Sequence, residues 1–237
     1  VIAAIIGLFA YFIQPLAGSL KQGLDLQGGT HIVLEAEDSA TGTADNDAVE
    51  RAKQILERRI NEMGLSEPLV QREGARRIII ELPGVKDPDE AIKRIGKTAV
   101  LEFKNDQGQT VMTGDDLKDA KEELGQNKQP LVAIELSDEG AKKFADLTSK
   151  NIGRRIAITL DGKELTNPVV QQAITGGKAT ISGSQSLEEA KDLAILLRSG
   201  ALPVKINVLE VRTVGPSLGQ DSKDKSVVAF SAGIAMI

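Results

Sequence analysis

The chain has 237 residues, 41% of them apolar and 27% charged, with a net charge of −5 and a pI near 5.2. This length can bury a real core in one elaborated domain or two small ones, while the acidic balance and the 3% aromatic content argue against nucleic acid as a partner. Cysteine is absent and His31 is the single histidine, which removes disulfides, thiolate metal sites, His clusters and any Ser-His-Asp triad not built on that residue.

Residues 1–13, VIAAIIGLFAYFI, are uncharged, and Tyr11 and Phe12 sit where a membrane interface favours amphipathic rings. Thirteen residues are too few to span a bilayer, so the stretch reads as the end of a truncated transmembrane helix that starts upstream, with a cleaved signal segment as the alternative. The next stretch, GLDLQGG at 23–29, lacks the Lys-Ser/Thr of a phosphate loop and precedes a strand, not a helix. Asp25 has too few neighbouring oxygens for a calcium loop. The motif therefore reads as a turn, with Gly28 and Gly29 in unusual dihedrals and Asp25 bonded to nearby backbone.

From His31 to Glu37 the pattern alternates, with Ile32, Leu34 and Ala36 on one face and His31, Val33, Glu35 and Glu37 on the other, as in a half-buried strand. Asp47 to Met63 carries a helical stripe of Ala48, Val49, Ala52, Ile55, Leu56, Ile60 and Met63, closed by Gly64. Leu69–Glu73 and Arg76–Leu82 form a hairpin around Gly74-Ala75, ended by Pro83-Gly84. Asp87-Pro88 opens a helix through Ala91, Ile92 and Ile95 to Gly96, and Ala99 to Phe103 returns to period two. The order is βαββαβ, a ferredoxin-like unit of α+β class.

Asn105 to Pro130 is polar and turn-rich and reads as a boundary, with Glu122-Glu123 on a solvated helix face. Beyond it the order recurs: a strand at Leu131–Leu136, a helix at Ser137–Ser149, a strand at Arg155–Leu160 with an Asp161-Gly162 turn, and a strand at Ala179–Ser182. A helix at Leu187–Ser199 follows, with a Ser186/Glu189 capping box, and then a strand at Val204–Val211. The second half is thus a second copy of the unit or an insertion that borrows a strand. Residues 215–225 read as a connector, and 226–237, SVVAFSAGIAMI, as the start of a second membrane helix. Glu35, Glu37 and the other carboxylates form no recognisable convergent pair, so no active site is legible; what remains is a sheet edge or face able to take an extended peptide.

Three ordered segments carry a family resemblance: GLDLQGGTHIVLE after a membrane helix, IIIELPGVKDP at 78–88, and ISG followed by EAKDLAILLRSGALP and VRTVGPSLGQDS. They resemble the SecD/SecF protein-export family of the resistance-nodulation-division superfamily. The resemblance implies a multi-pass cell-membrane subunit, partnered by or fused to SecF, working beside the SecYEG translocon in contact with membrane lipid. It implies a non-enzymatic protein without cofactor or metal, which grips unfolded preprotein outside the membrane while protons flow inward; a small-molecule or lipid exporter of the same superfamily is the alternative. On that pattern 1–19 is the first membrane helix and its exit, 20–104 with 202–215 a ferredoxin-like base, and 105–201 an inserted α+β head holding the substrate contacts. Residues 216–225 are the connector, 226–237 begin the next membrane helix, and 20–225 lie on the extracytoplasmic side. Gly23, Asp25, Gln27, Gly28, Gly29, Pro83, Gly84, Arg198, Gly200, Pro203, Arg212, Gly215 and Pro216 are expected to be structural or hinge positions, since Gly and Pro set backbone geometry. The family's proton-relay residues lie in later membrane helices and in SecF, outside this chain.

Overall fold

The computed structural model describes Leu24, residues 28–38, 42–65, 68–85 and 87–215, and Lys225. Both apolar ends, with Gly23, Asp25, Gln27 and Pro216, lie outside the described residues. Among the described residues no helix is long and apolar enough to cross a membrane.

Strand β1 (Gly29–Glu37) alternates as its sequence requires, with Ile32, Leu34 and Ala36 buried. Helix α1 (Asn46–Glu62) begins where the Asp45 carboxylate accepts the Ala48 N–H, and buries Ala48, Val49, Ala52, Leu56 and Ile60 along one stripe. Strands β2 (Leu69–Glu73) and β3 (Arg77–Pro83) form the expected hairpin, and α2 (Pro88–Ile95) starts on the Asp87 cap with Pro in its first turn. The last strand, β11 (Lys205–Val214), returns to this group and pairs with β1. The result is a four-stranded, wholly antiparallel sheet in the order β11-β1-β3-β2. Ile32, Leu34, Val49, Leu56, Ile60, Ile78, Ile80, Leu82 and Ile95 form its core, joined by Leu202 and Val204.

Two sequence expectations change here. Residues 99–103, expected to complete the first unit, supply β4 (Leu101–Lys104), which pairs instead with β5 (Thr110–Thr113) and β8 (Ala157–Leu160). The strand at 204–211 lies in the first sheet as β11, so of the two readings of the second half the copy fails and the borrowed strand fits the pairing. A period-two pattern gives a strand and its buried face but carries no address for its neighbour, so by itself it neither places β4 nor decides between the two readings of β11.

The remaining elements surround a second core. One sheet runs β5-β4-β8-β9, with β9 at Lys163–Thr166; the other joins β6 (Leu117–Leu124), β7 (Pro130–Leu136) and β10 (Lys178–Ser182) in the order β10-β7-β6. Helices α3 (Asp138–Lys150) and α4 (Leu187–Ser199) cover them. Phe103 and Phe144 meet edge to face at 6.0 Å within this core. The polar stretch at 105–130 is therefore β5, a 3-10 turn at Gly114–Asp116 and β6. Glu122 and Glu123 lie on strand β6, not on a helix face. LKDAKEEL reads as a helix or loop because it fully buries only Ala120; its strand form comes from pairing along the apolar β7.

The backbone passes between the two cores twice, outward through 96–100 and back through 200–204. The passages touch: the Leu202 N–H donates to Thr98 O at 2.8 Å, and the Asp161 carboxylate accepts the Ala99 and Val100 N–H groups at 3.1 and 2.9 Å.

Candidate functional site

Three places gather the residues singled out in the sequence or suited to binding. At one end of the first sheet, Gly29 is registered against Pro83 on β3 and against Val214 on β11, so Gly28, Gly29, Pro83, Gly84 and the exit at Gly215 meet in one corner. Gly28 has φ 68° and Gly29 φ 147°. The Gly84 N–H donates to Gly28 O at 2.9 Å and the Gly28 N–H to Leu24 O at 2.8 Å, which closes the turn. A Cβ on Gly29 would lie 2.3 Å from Leu82 O and 2.9 Å from the Pro83 Cα, so the approach of the two strands requires glycine there. The buried Thr30 hydroxyl adds a bond to Val85 O at 3.0 Å. Arg212 lies at the same end on β11, opposite His31, with its guanidinium bonded to Glu210; His31 Nδ1 is 3.5 Å from the Glu81 carboxylate.

Arg198, Gly200 and Pro203 lie at the other end of this sheet, where the chain crosses between the cores. Lys205 pairs with Glu37 there, while Val214 pairs with Gly29 at the corner, so β1 and β11 run the whole way from crossing to corner, about 30 Å at the usual strand rise. Gly200, at φ 89°, ends α4, and its N–H donates to Leu196 O at 3.2 Å. Arg198 donates through Nε and Nη2 to Glu62 Oε2 at 3.1 and 2.9 Å and through Nη1 to Ala120 O at 2.7 Å. The Glu62 bond raises the Arg198 pKa above its ordinary value, against the opposing effect of burial.

The crossing also holds a residue the sequence reading passed over. Arg59 is wholly buried, and it donates through Nε to Ser199 Oγ at 3.1 Å, through Nη1 to Ile95 O at 2.7 Å and to Lys97 O, and through Nη2 to Gly200 O at 2.8 Å. Burial pushes its pKa down to about 10, with the Asp161 charge acting the other way, so it remains a cation at neutral pH. The signal was present: Arg59 follows Ile55 and Leu56 at helical spacing, a charge set directly in the apolar stripe of α1.

The third place is an open cleft of about 760 Å³ in the second core. Its apolar wall includes Ala133, Phe144, Ile156, Ile158, Val170 and Ile174, and its rim includes Asp119, Lys121, Glu135 and Lys178. The Thr148 hydroxyl donates to Phe144 O at 2.7 Å and accepts the Ile174 N–H at 3.0 Å, which fastens one lip of the cleft to α3. Val169, on that lip, is 46% exposed. A hydrogen bond from Lys121 holds Asp119 below the usual carboxylate range, and one from Lys118 does the same for Glu135, so the rim keeps charges of both signs at neutral pH. Among the described residues no group of His, Cys, Asp or Glu is arranged to hold a metal ion.

Comparison with known proteins gives the class of domain first. The family model "SecDF, P1 head subdomain" matches residues 92–204, "Protein translocase subunit SecDF, P1 domain, N-terminal" matches 49–108, and "SecD/SecF GG Motif" matches 20–40. The chain is 58% identical over 234 residues to the protein translocase subunit SecD of Acidaminococcus fermentans, covering 99% of this chain and 56% of that protein. It is 43% identical to the protein translocase subunit SecDF of Thermus thermophilus, covering 88% of this chain and 33% of that one. A solved structure titled "Structure and function of a membrane component SecDF that enhances protein export" matches with TM-score 0.70 and 40% identity, covering 77% of this chain and 99% of that chain. The crystal structure of SecDF in a super-membrane-facing form matches with TM-score 0.77 and 41% identity over 92% of this chain and 34% of the other. The chain belongs to the SecD/SecF protein-export family. It spans a little over half the length of the SecD relatives named first in this comparison.

Proposed function

We propose that this chain is the extracytoplasmic part of an auxiliary subunit of the Sec export machinery, and that its second core binds emerging unfolded preprotein. The observation that carries the reading is the open cleft: apolar side chains with a rim of mixed charge suit short stretches of many different unfolded sequences. In this reading the first sheet, with α1 and α2 on it, is a ferredoxin-like base, and the second core is an inserted α+β head. The boundary falls at the two crossings, 96–100 and 200–204, and so assigns β4 to the head. Transmembrane helices flank the domain on both sides, and the corner at Gly28-Gly29 and Gly215 is where the backbone leaves the base toward the membrane lipid. β1 and β11 then form a stiff link from that corner to the crossings. SecF and the SecYEG translocon are the partners, the proton-motive force acts through membrane segments beyond this chain, and the subunit itself is neither an enzyme nor a cofactor carrier.

Pulse-labelling of a secretory precursor tests this in cells whose only copy of the full-length protein carries Val169→Asp, at an exposed position on the cleft lip. A carboxylate on this exposed lip burdens the apolar contact with desolvation without entering the core, so precursor maturation is expected to slow severalfold while the membrane level of the protein stays normal. Maturation at the wild-type rate would contradict binding in the cleft.

A further inference from the structure

Among the described residues the guanidinium of Arg59 has no carboxylate in contact. Its hydrogen-bond partners are main-chain carbonyls and one hydroxyl, and they come from both passages between the cores and the helix ends that lead into them: Ile95 and Lys97 on the outward side, Ser199 and Gly200 on the return. Ile95 ends α2 and Gly200 caps α4, so the negative ends of two helices converge on one buried cation. An ion pair would neutralise the charge equally well but would fix only a side chain. A planar fork bonded to backbone fixes where two chain segments lie relative to each other. The base of this fork is anchored in the first core, where Leu56 and Ile60, its neighbours on α1, are wholly buried. Its far side reaches the end of α4, whose Leu196 and Leu197 belong to the second core. Among the described residues two other side-chain links join α4 to the first core, Arg198 to Glu62 and Arg94 to Asp192; both are partly exposed ion pairs that hold side chain to side chain and leave the backbone of the crossings to Arg59.

We infer that Arg59 is a positioning residue, which sets the orientation of the second core on the first by tying the two chain crossings into one knot. Arg59 is wholly buried in the stripe of α1, and a methionine there keeps an apolar stem of similar length, so Arg59→Met removes the fork while retaining most of the packing. The inference stands whether or not the cleft binds preprotein.

The test uses the full-length protein in lipid nanodiscs, with spin labels at Gln71→Cys in the first sheet and Gln126→Cys in the β6–β7 turn, both exposed positions in a chain without native cysteine. Inter-label distances are measured with Arg59 retained, with Arg59→Met and with Arg59→Lys, alongside hydrogen exchange of β1 and β7 amides. The expected result for Arg59→Met is a broadened or shifted distance distribution with the protection of both cores retained. Arg59→Lys keeps the charge but not the fork, so it is expected to depart from wild type in the same direction. A distribution unchanged by Arg59→Met would overturn the inference, as would a lysine variant indistinguishable from wild type. Loss of protection in either core in the methionine variant would also overturn it, since Arg59 would then be holding up a core and not an orientation.

Discussion

Gly29→Ala is expected to raise exchange of the β1 and β3 amides of the full-length protein by more than about a hundredfold, equivalent to a loss of about 3 kcal/mol. Two costs combine at this position. With φ at 147°, any L side chain is strained, and the added Cβ would sit 2.3 Å from Leu82 O, 2.7 Å from Leu24 Cδ1 and 2.9 Å from the Pro83 Cα. Two of these three neighbours are backbone of the strand paired with β1, so relief requires the sheet to part at the corner. Gly108→Ala is the reference for a positive-φ glycine without a close approach, because Gly108 has φ 77° and nothing lies within 4 Å of its added Cβ. That variant is expected to lose only about 1 kcal/mol. Equal effects at the two positions would mean that the close approach at Gly29 is unimportant.

Phe103→Ala is expected to lose about 3–5 kcal/mol in the second core, the range for truncating a buried aromatic. Phe103 is wholly buried, and its ring meets that of Phe144 at 6.0 Å. Phe144 in turn forms part of the cleft wall, so the cavity left by the truncation opens directly behind the proposed binding surface. Because Phe103 belongs to a hydrophobic cluster distinct from that of β1 and α1, the loss is expected in the exchange of β4, β7 and β8 amides and not in that of β1. A matching loss in β1 would show that the two cores unfold as one unit.

Local periodicity carried the elements well and their neighbours poorly. The stripe of α1 and the alternation of β1 were legible because each element buries one face, and α4 runs from Leu187 to Ser199 between its Ser186 cap and Gly200, although the Glu189 carboxylate accepts the Gln185 N–H and not that of Ser186, so the expected capping box is half formed. Sheet order was not, because β11 pairs with a strand lying more than 150 residues before it and nothing in KINVLEVRTV names that partner. Strand β6 was missed for the opposite reason: its own residues are charged, and its conformation is imposed by β7. The Gly28-Gly29 turn was found from residue type alone, but its meeting with Pro83-Gly84 needed the register of β1 on β3. Arg59 was hidden in plain pattern, since a stripe is counted by its apolar members and a cation within it goes unremarked. The cleft has no sequence signature, because its wall draws on α3, β7, β8 and the 168–174 segment at once.

The corner, the strands and the crossings form one path through the first sheet, with β1 and β11 joining its ends. In the proposed reading a change at Gly29 or Arg59 acts on where the second core stands, whereas a change at the exposed Val169 acts on what the cleft binds.

The most direct measurement is site-specific photo-crosslinking in living cells carrying a stalled secretory precursor. A benzophenone side chain replaces Val169 on the cleft lip in one full-length variant and Gln71 on the first sheet in another; both positions are exposed. The account predicts a precursor adduct at position 169 and none at 71. An adduct at 71 without one at 169 would contradict it.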